Sequence, residues 1–93
     1  MEINEFKNWL RESSYKETKR YKNLTKYSQG MFRSLHLYDN GDIEIFLISP
    51  VEYIHRKVNV KDLEKGNADS LKYKAMVEVE GEMKECEFYL YRY

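Results

Sequence analysis

The feature that most constrains this chain is the stretch 31–49, where apolar and polar residues alternate on both sides of Tyr38-Asp39-Asn40-Gly41-Asp42. Alternation is the period of a strand, whose successive side chains leave opposite faces of a sheet. An Asn-Gly pair between two such runs marks a hairpin turn. Two registers compete. A two-residue Asn40-Gly41 loop sets Leu35 against Phe46 and scatters apolar groups over both faces. A three-residue loop with Gly41 in a left-handed bulge pairs Tyr38 with Asp42, and gathers Leu35, Leu37, Ile43, Ile45 and Leu47 on one face. Slippage by one residue would turn that whole set to water, so burial selects the second register. The opposite face then carries Phe32, Ser34, His36, Tyr38, Asp42, Glu44, Phe46 and Ile48. Phe46 and Ile48 on a wet face imply either a cover for that end or a contact surface.

A second alternating run, 71–93, turns at Gly81. It aligns Leu71, Tyr73, Ala75, Val77 and Val79 with Cys86, Phe88 and Leu90. Its other face shows Lys72, Lys74, Met76, Glu78 and Glu80 beside Glu85, Glu87, Tyr89 and Tyr91. One packed and one wet face is the signature of an antiparallel sheet.

The remaining segments read as helices. Ile3, Phe6 and Leu10, with Trp9 beside them, share one helical face over residues 3–11, and Ser13 and Ser14 end it. Ser14-Tyr15-Lys16-Glu17 has the form of a capping box. It predicts a second helix to about Tyr27, with Tyr21 and Leu24 inward and Gly30 as its left-handed terminator. Ser49-Pro50-Val51-Glu52 repeats the box with proline at the first helical position, predicting a short helix over 50–57 with Val51, Ile54 and Val58 inward. One further helical turn is expected around Leu63, and Asn67 to Ser70 form a loop. The expected fold is α+β: a single domain over residues 1–93. Residues 1–30 form a basic helical arm, a helical hairpin. Residues 31–93 form hairpin, helix and hairpin, the two hairpins sharing one four-stranded sheet.

Sixteen basic and sixteen acidic residues give a formal net charge of zero over 93 residues. That excludes a polybasic nucleic-acid tail and an acidic nucleic-acid mimic as descriptions of the whole chain. The charge is nevertheless divided. Residues 7–33 carry a net +6, and residues 34–93 a net −4. A lone cysteine, Cys86, offers no disulfide framework and suits a reducing interior. The acidic N-terminus lacks the apolar core of a signal peptide, and the longest apolar run, Ile45 to Ile48, is far too short to cross a bilayer. A cytoplasmic protein without membrane attachment is expected.

The sequence contains no P-loop, no G-x-S-x-G, no Cys-x-x-Cys and no His-Glu-x-x-His. It offers no cofactor or metal motif, so the leading expectation is a small binding module without catalysis. Such a module acts as an inhibitor or regulator docked on a larger protein or nucleoprotein, in the manner of phage-encoded anti-defence or immunity proteins. Its expected contact surface is the acidic and aromatic face of the last hairpin: Met76, Glu78, Glu80, Glu85, Glu87, Tyr89 and Tyr91. Homodimerisation through that face is an alternative occupant. Water alone also accounts for it, because charged edges keep sheets soluble. A second expectation is nucleic-acid binding by the arm, through Tyr15, Lys16, Lys19, Arg20, Lys22 and Lys26, where lysines serve phosphates and rings serve bases. A solvated helix explains the same lysines, and helical spacing spreads them around the cylinder. A third is a small metal-independent ribonuclease using His55, Arg92 and Tyr93, with His36 facing Glu44 across the first hairpin.

Overall fold

The computed structural model describes residues 1–93. Helix α1 spans Ile3–Arg11, the bounds set by its apolar spacing. It ends where Ser13 turns back, its amide and its hydroxyl both donating to the Leu10 carbonyl. Phe6, Trp9 and Leu10 face the core. Trp9 lies 6.1 Å from Phe6 and 6.4 Å from Tyr15 between ring centroids, and its indole N–H donates to the Asp69 carbonyl at 2.7 Å. The tryptophan therefore anchors the helix and satisfies its one polar atom at once.

Eight strands follow: β1 (Lys16–Arg20), β2 (Leu24–Gln29), β3 (Arg33–Tyr38), β4 (Asp42–Ser49), β5 (Glu52–Asn59), β6 (Glu64–Lys65), β7 (Leu71–Val79) and β8 (Glu82–Leu90). Strands β1 to β5 form an antiparallel meander in sequence order, and β6, β7 and β8 form a separate three-stranded sheet. The protein is thus mixed helix and strand, mostly sheet, with one short helix.

The two alternating runs are the hairpins expected of them. In β3–β4, Leu37 faces Ile43, His36 faces Glu44 and Leu35 faces Ile45, the three-residue register. Gly41 has φ +93°, and its amide donates to the Tyr38 carbonyl. A side chain there would also press on Val60, whose Cγ1 would lie 3.1 Å from an added Cβ. In β7–β8, Leu71 faces Leu90 and Tyr73 faces Phe88, around a two-residue Glu80-Gly81 turn. Both turn residues have positive φ, the backbone twist that suits a tight hairpin.

Both extra helices, and with them the helical arm, are absent. Residues 14–27 form β1 and most of β2, with a turn at Tyr21-Lys22-Asn23. Tyrosines and β-branched Thr18 and Thr25 favour this pleated surface. Pairing with β2 also satisfies the backbone edge of β3, from Leu24 opposite Tyr38 to Gln29 opposite Arg33. Gly30 adopts the left-handed conformation, φ +68°, but in the β2–β3 turn. Residues 52–59 form β5, and Pro50-Val51 is the turn between paired Ser49 and Glu52. Proline presets a turn as well as a helix start, so the same four residues served either. The assumed inner position Val51 is 94% exposed. The single four-stranded sheet is likewise replaced by two sheets, because β5 continues the first meander and β6 begins the second. The turn expected around Leu63 is a 3-10 turn at Val60–Asp62.

One core joins the parts. Phe6, Trp9, Leu10 and Tyr15 pack with Leu35, Leu37, Ile43, Ile45 and Val58 of the meander, and with Leu63, Leu71, Tyr73 and Leu90. Arg56, on the same side of β5, lays its guanidinium 3.6 Å above the Phe88 ring and reaches the Tyr73 hydroxyl, so it fastens one sheet to the other. Helix and second sheet thus share the inner face of the meander.

Candidate functional site

The outer face of the meander is built by register. Lys19 faces Lys26, Lys26 faces His36, His36 faces Glu44 and Glu44 faces Lys57, one row across all five strands. The next row runs Lys16, Ser28, Ser34, Phe46 and His55. At the end of the face stand Phe32, Ile48 and Tyr53, about half exposed or more. Of the apolar groups that the alternation left on the wet side of the first hairpin, Phe32 and Ile48 are therefore uncovered, and Phe46 is half-buried.

At the centre, three rings stand side by side. Phe46 is stacked on His55 at 4.7 Å between centroids and 5° between planes, and His36 tilts against its other side at 4.7 Å. His55 Nε2 lies 2.7 Å from the Glu44 carboxylate, which also accepts from the Tyr38 hydroxyl. The hydrogen bond from Tyr38 lowers the Glu44 carboxyl from its ordinary value, with His55 acting in the same direction. The same bond raises the Tyr38 hydroxyl. Burial, then the nearby Lys26, lowers His36, against the opposing pull of Glu44. The face therefore holds its one central carboxylate between two hydrogen-bond partners, Tyr38 and His55.

At the β1–β2 end, Tyr21 lies between two ammonium groups, 5.1 Å from Lys19 and 5.4 Å from Lys26 to the ring centroid. Lys19 lowers its hydroxyl from the ordinary tyrosine value. A bulge falls between Glu17 and Lys19, so Lys16 and Lys19 point to the same side although three residues apart.

The residues first singled out are distributed as follows. Lys16, Lys19 and Lys26 gather on the outer face, and Lys22 sits in the turn beside them. Arg20 turns to the other side and binds Glu17 at 2.6 Å. Tyr15 is buried among core residues, where burial pushes its hydroxyl up to about 12. His55 lies on a strand and faces Phe46, not on a helix. Arg92 clamps Glu12 and Asp69, and the Tyr93 hydroxyl donates to the Glu12 carbonyl, so neither joins His55. On the last hairpin, Met76, Glu78, Glu85, Glu87 and Tyr89 share one face with Lys72 and Lys74, and Glu80 sits in the turn. The Tyr89 hydroxyl donates to Glu87 at 2.8 Å, and its ring stacks on Tyr91. Lys74 approaches Glu85 at 4.0 Å, so part of the acid is already compensated.

Sequence reasoning missed Lys57, Tyr53 and the assembly of His36, Phe46 and His55. The signal was present in Tyr53, His55 and Lys57, which alternate against Ile54, Arg56 and Val58. Positions 54 and 58 share a face in a helix and in a strand alike, which hid the difference.

No cluster of histidine, cysteine and carboxylate groups is arranged to hold a metal ion, and no helix is long and apolar enough to cross a membrane. Comparison with protein-family models, with curated proteins and with solved structures finds no match for this chain.

Proposed function

We propose that this chain is a binding module for single-stranded nucleic acid, and that its working surface is the outer face of the meander. The observation that carries this reading is that Lys19, Lys26 and Lys57 stand in one row across the sheet, laid beside exposed rings at Tyr21, Phe32 and Tyr53. Single strands need cations along the backbone and rings against which splayed bases stack. A duplex needs an element that enters a groove, and a broad sheet face does not supply one. Fluorescence anisotropy with labelled single- and double-stranded RNA and DNA tests it. Single strands should bind more tightly than duplex, with affinity that falls steeply with salt. Equal or absent binding at low salt defeats it.

A second reading, docking on a protein, is favoured by the distal part of β7–β8, where Met76 and Met83 are exposed among glutamates. Its partner would be basic. Met76→Ala and Met83→Ala should then abolish capture of that partner while leaving nucleic-acid affinity unchanged.

A further inference from the structure

We propose that the outer face also cleaves RNA without a metal ion, with His36 and His55 as the acid–base pair and Glu44 as the residue that positions His55. The inference rests on the binding reading above and deepens it by naming a substrate class, RNA with a free 2′-hydroxyl.

Phosphodiester transesterification makes three demands. A base must take the 2′-hydroxyl proton, an acid must protonate the departing 5′ oxygen, and cations must carry the charge that develops on the phosphate. In-line displacement sets the attacking and leaving oxygens on opposite sides of phosphorus, so acid and base must flank the reacting group. His36 and His55 do so by topology. They project from β3 and β5, either side of β4, and each lies 4.7 Å from the Phe46 ring between them. Phe46 is thus a fixed spacer, and a phosphodiester lying over its edge has one imidazole on either hand. Lys26 and Lys57 stand in the adjoining row, one beyond His36 and one beyond Glu44.

The two imidazoles also differ in surroundings, as a base and an acid should. His55 is held through Nε2 by Glu44, which Tyr38 in turn fixes. His36 has no such hydrogen bond; Lys26, Glu44 and His55 are the charged or titratable groups around it. Its depressed proton affinity keeps it in the neutral, proton-accepting form near neutral pH.

In the step itself, His36 removes the 2′-hydroxyl proton and the 2′ oxygen forms a bond to phosphorus. The bond from phosphorus to the 5′ oxygen breaks, and protonated His55 donates to that oxygen. The products are a 2′,3′-cyclic phosphate and a 5′-hydroxyl, and no oxidant, reductant or further reactant is consumed.

The test uses the whole chain with a fluorescent single-stranded RNA in excess chelator. Products are resolved by gel and mass spectrometry, and binding is read in parallel by anisotropy. Cleavage to 2′,3′-cyclic ends is expected, with DNA of the same sequence bound and left intact. His36→Gln and His55→Gln should each slow cleavage by about a hundredfold or more, the scale of one general acid or base, with affinity within about threefold. Glu44→Gln should lower kcat while leaving KM in place, the pattern of a positioning group and not of lost binding. Circular dichroism confirms that each variant is folded. RNA that is bound but left intact overturns this proposal and spares the binding reading. Histidine variants that cleave at the wild-type rate also overturn it, since the activity then lies elsewhere. Failure to bind at all overturns both.

Discussion

The sharpest quantitative consequence of the outer face is its salt dependence. Lys16, Lys19, Lys26 and Lys57 point to that side. Each phosphate neutralised on a single strand contributes about −0.7 to the slope of log affinity against log salt, so four contacts give about −2.8. Between about 50 and 200 mM salt, affinity should then fall about 50-fold. The double variant Lys19→Ala, Lys26→Ala leaves two of the four lysines. Its slope should be about −1.4, and its affinity should fall only about 7-fold over the same range. A matched control removes the same charge elsewhere: Lys74→Ala, Lys84→Ala on the β7–β8 hairpin. Its slope should stay at the wild-type value. Anisotropy titrations at four or more salt concentrations give all three slopes. Equal slopes for the two double variants would refute the argument, because they would show net charge acting in place of a defined face. A wild-type slope near zero would refute it more simply.

Three further outcomes follow from the fold. Glu80 sits at φ +53° beside Gly81 at φ +82°, a turn that asparagine tolerates better than glutamate. Glu80→Asn should therefore add about 0.5–1 kcal/mol, raising the thermal midpoint by about 3–6 °C, and an unchanged midpoint contradicts the turn assignment. Burial holds the Tyr15 hydroxyl up to about 12, against about 10 in an unfolded chain. The folded state therefore favours neutral tyrosine, and this contribution is complete below pH 10 and lost as pH rises toward 12. Its size is roughly 3 kcal/mol, so urea midpoints should fall more between about pH 9 and pH 11.5, which bracket the ordinary tyrosine value, for wild type than for Tyr15→Phe. Arg56→Ala should cost about 1–3 kcal/mol, through loss of the ring contact and of the stem that packs between sheets. Urea unfolding of Arg56→Ala within error of wild type would show that the two sheets do not depend on that residue.

What was legible in the sequence was whatever rested on a local period with only one solution. Residues 3–11 offer one apolar helical face and form α1. The Tyr38 to Asp42 turn has two possible registers, and only one of them buries Leu35, Leu37, Ile43 and Ile45 together. What was not legible was decided by partners distant in the chain. Strand β2 exists because β3 has a second edge to be paired, and nothing inside residues 24–29 announces that edge. Ser49-Pro50-Val51-Glu52 is equally good as a helix start and as a turn, and it becomes a turn because β5 pairs along the whole of β4. Trp9 was recognisable as an anchor, but its partner, the Asp69 carbonyl, lies sixty positions away.

The site depended on the same choice of period. On a helix, Lys16, Lys19 and Lys26 fall within about 80° of one another, an ordinary solvated side that argues for nothing beyond solubility. On two paired strands with a bulge after Glu17, they fall on one face and point at the row that holds His36 and Lys57. Treating residues 14–27 as a helix also provides a second amphipathic element that would cover a second sheet face. As strands they extend the meander and leave α1 as the one α-helix. Nine residues at about 1.5 Å each make a rod about 13 Å long, and Phe6, Trp9 and Leu10 commit it to the core on the inner side. The three-stranded sheet commits Tyr73 and Leu90 to the same core. No helix remains to cover the outer side, so Phe32, Ile48 and Tyr53 stay in water beside the histidines. The exposed face is thus a consequence of strand pairing in β1, β2 and β5, and reading residues 14–27 and 50–57 as helices concealed it.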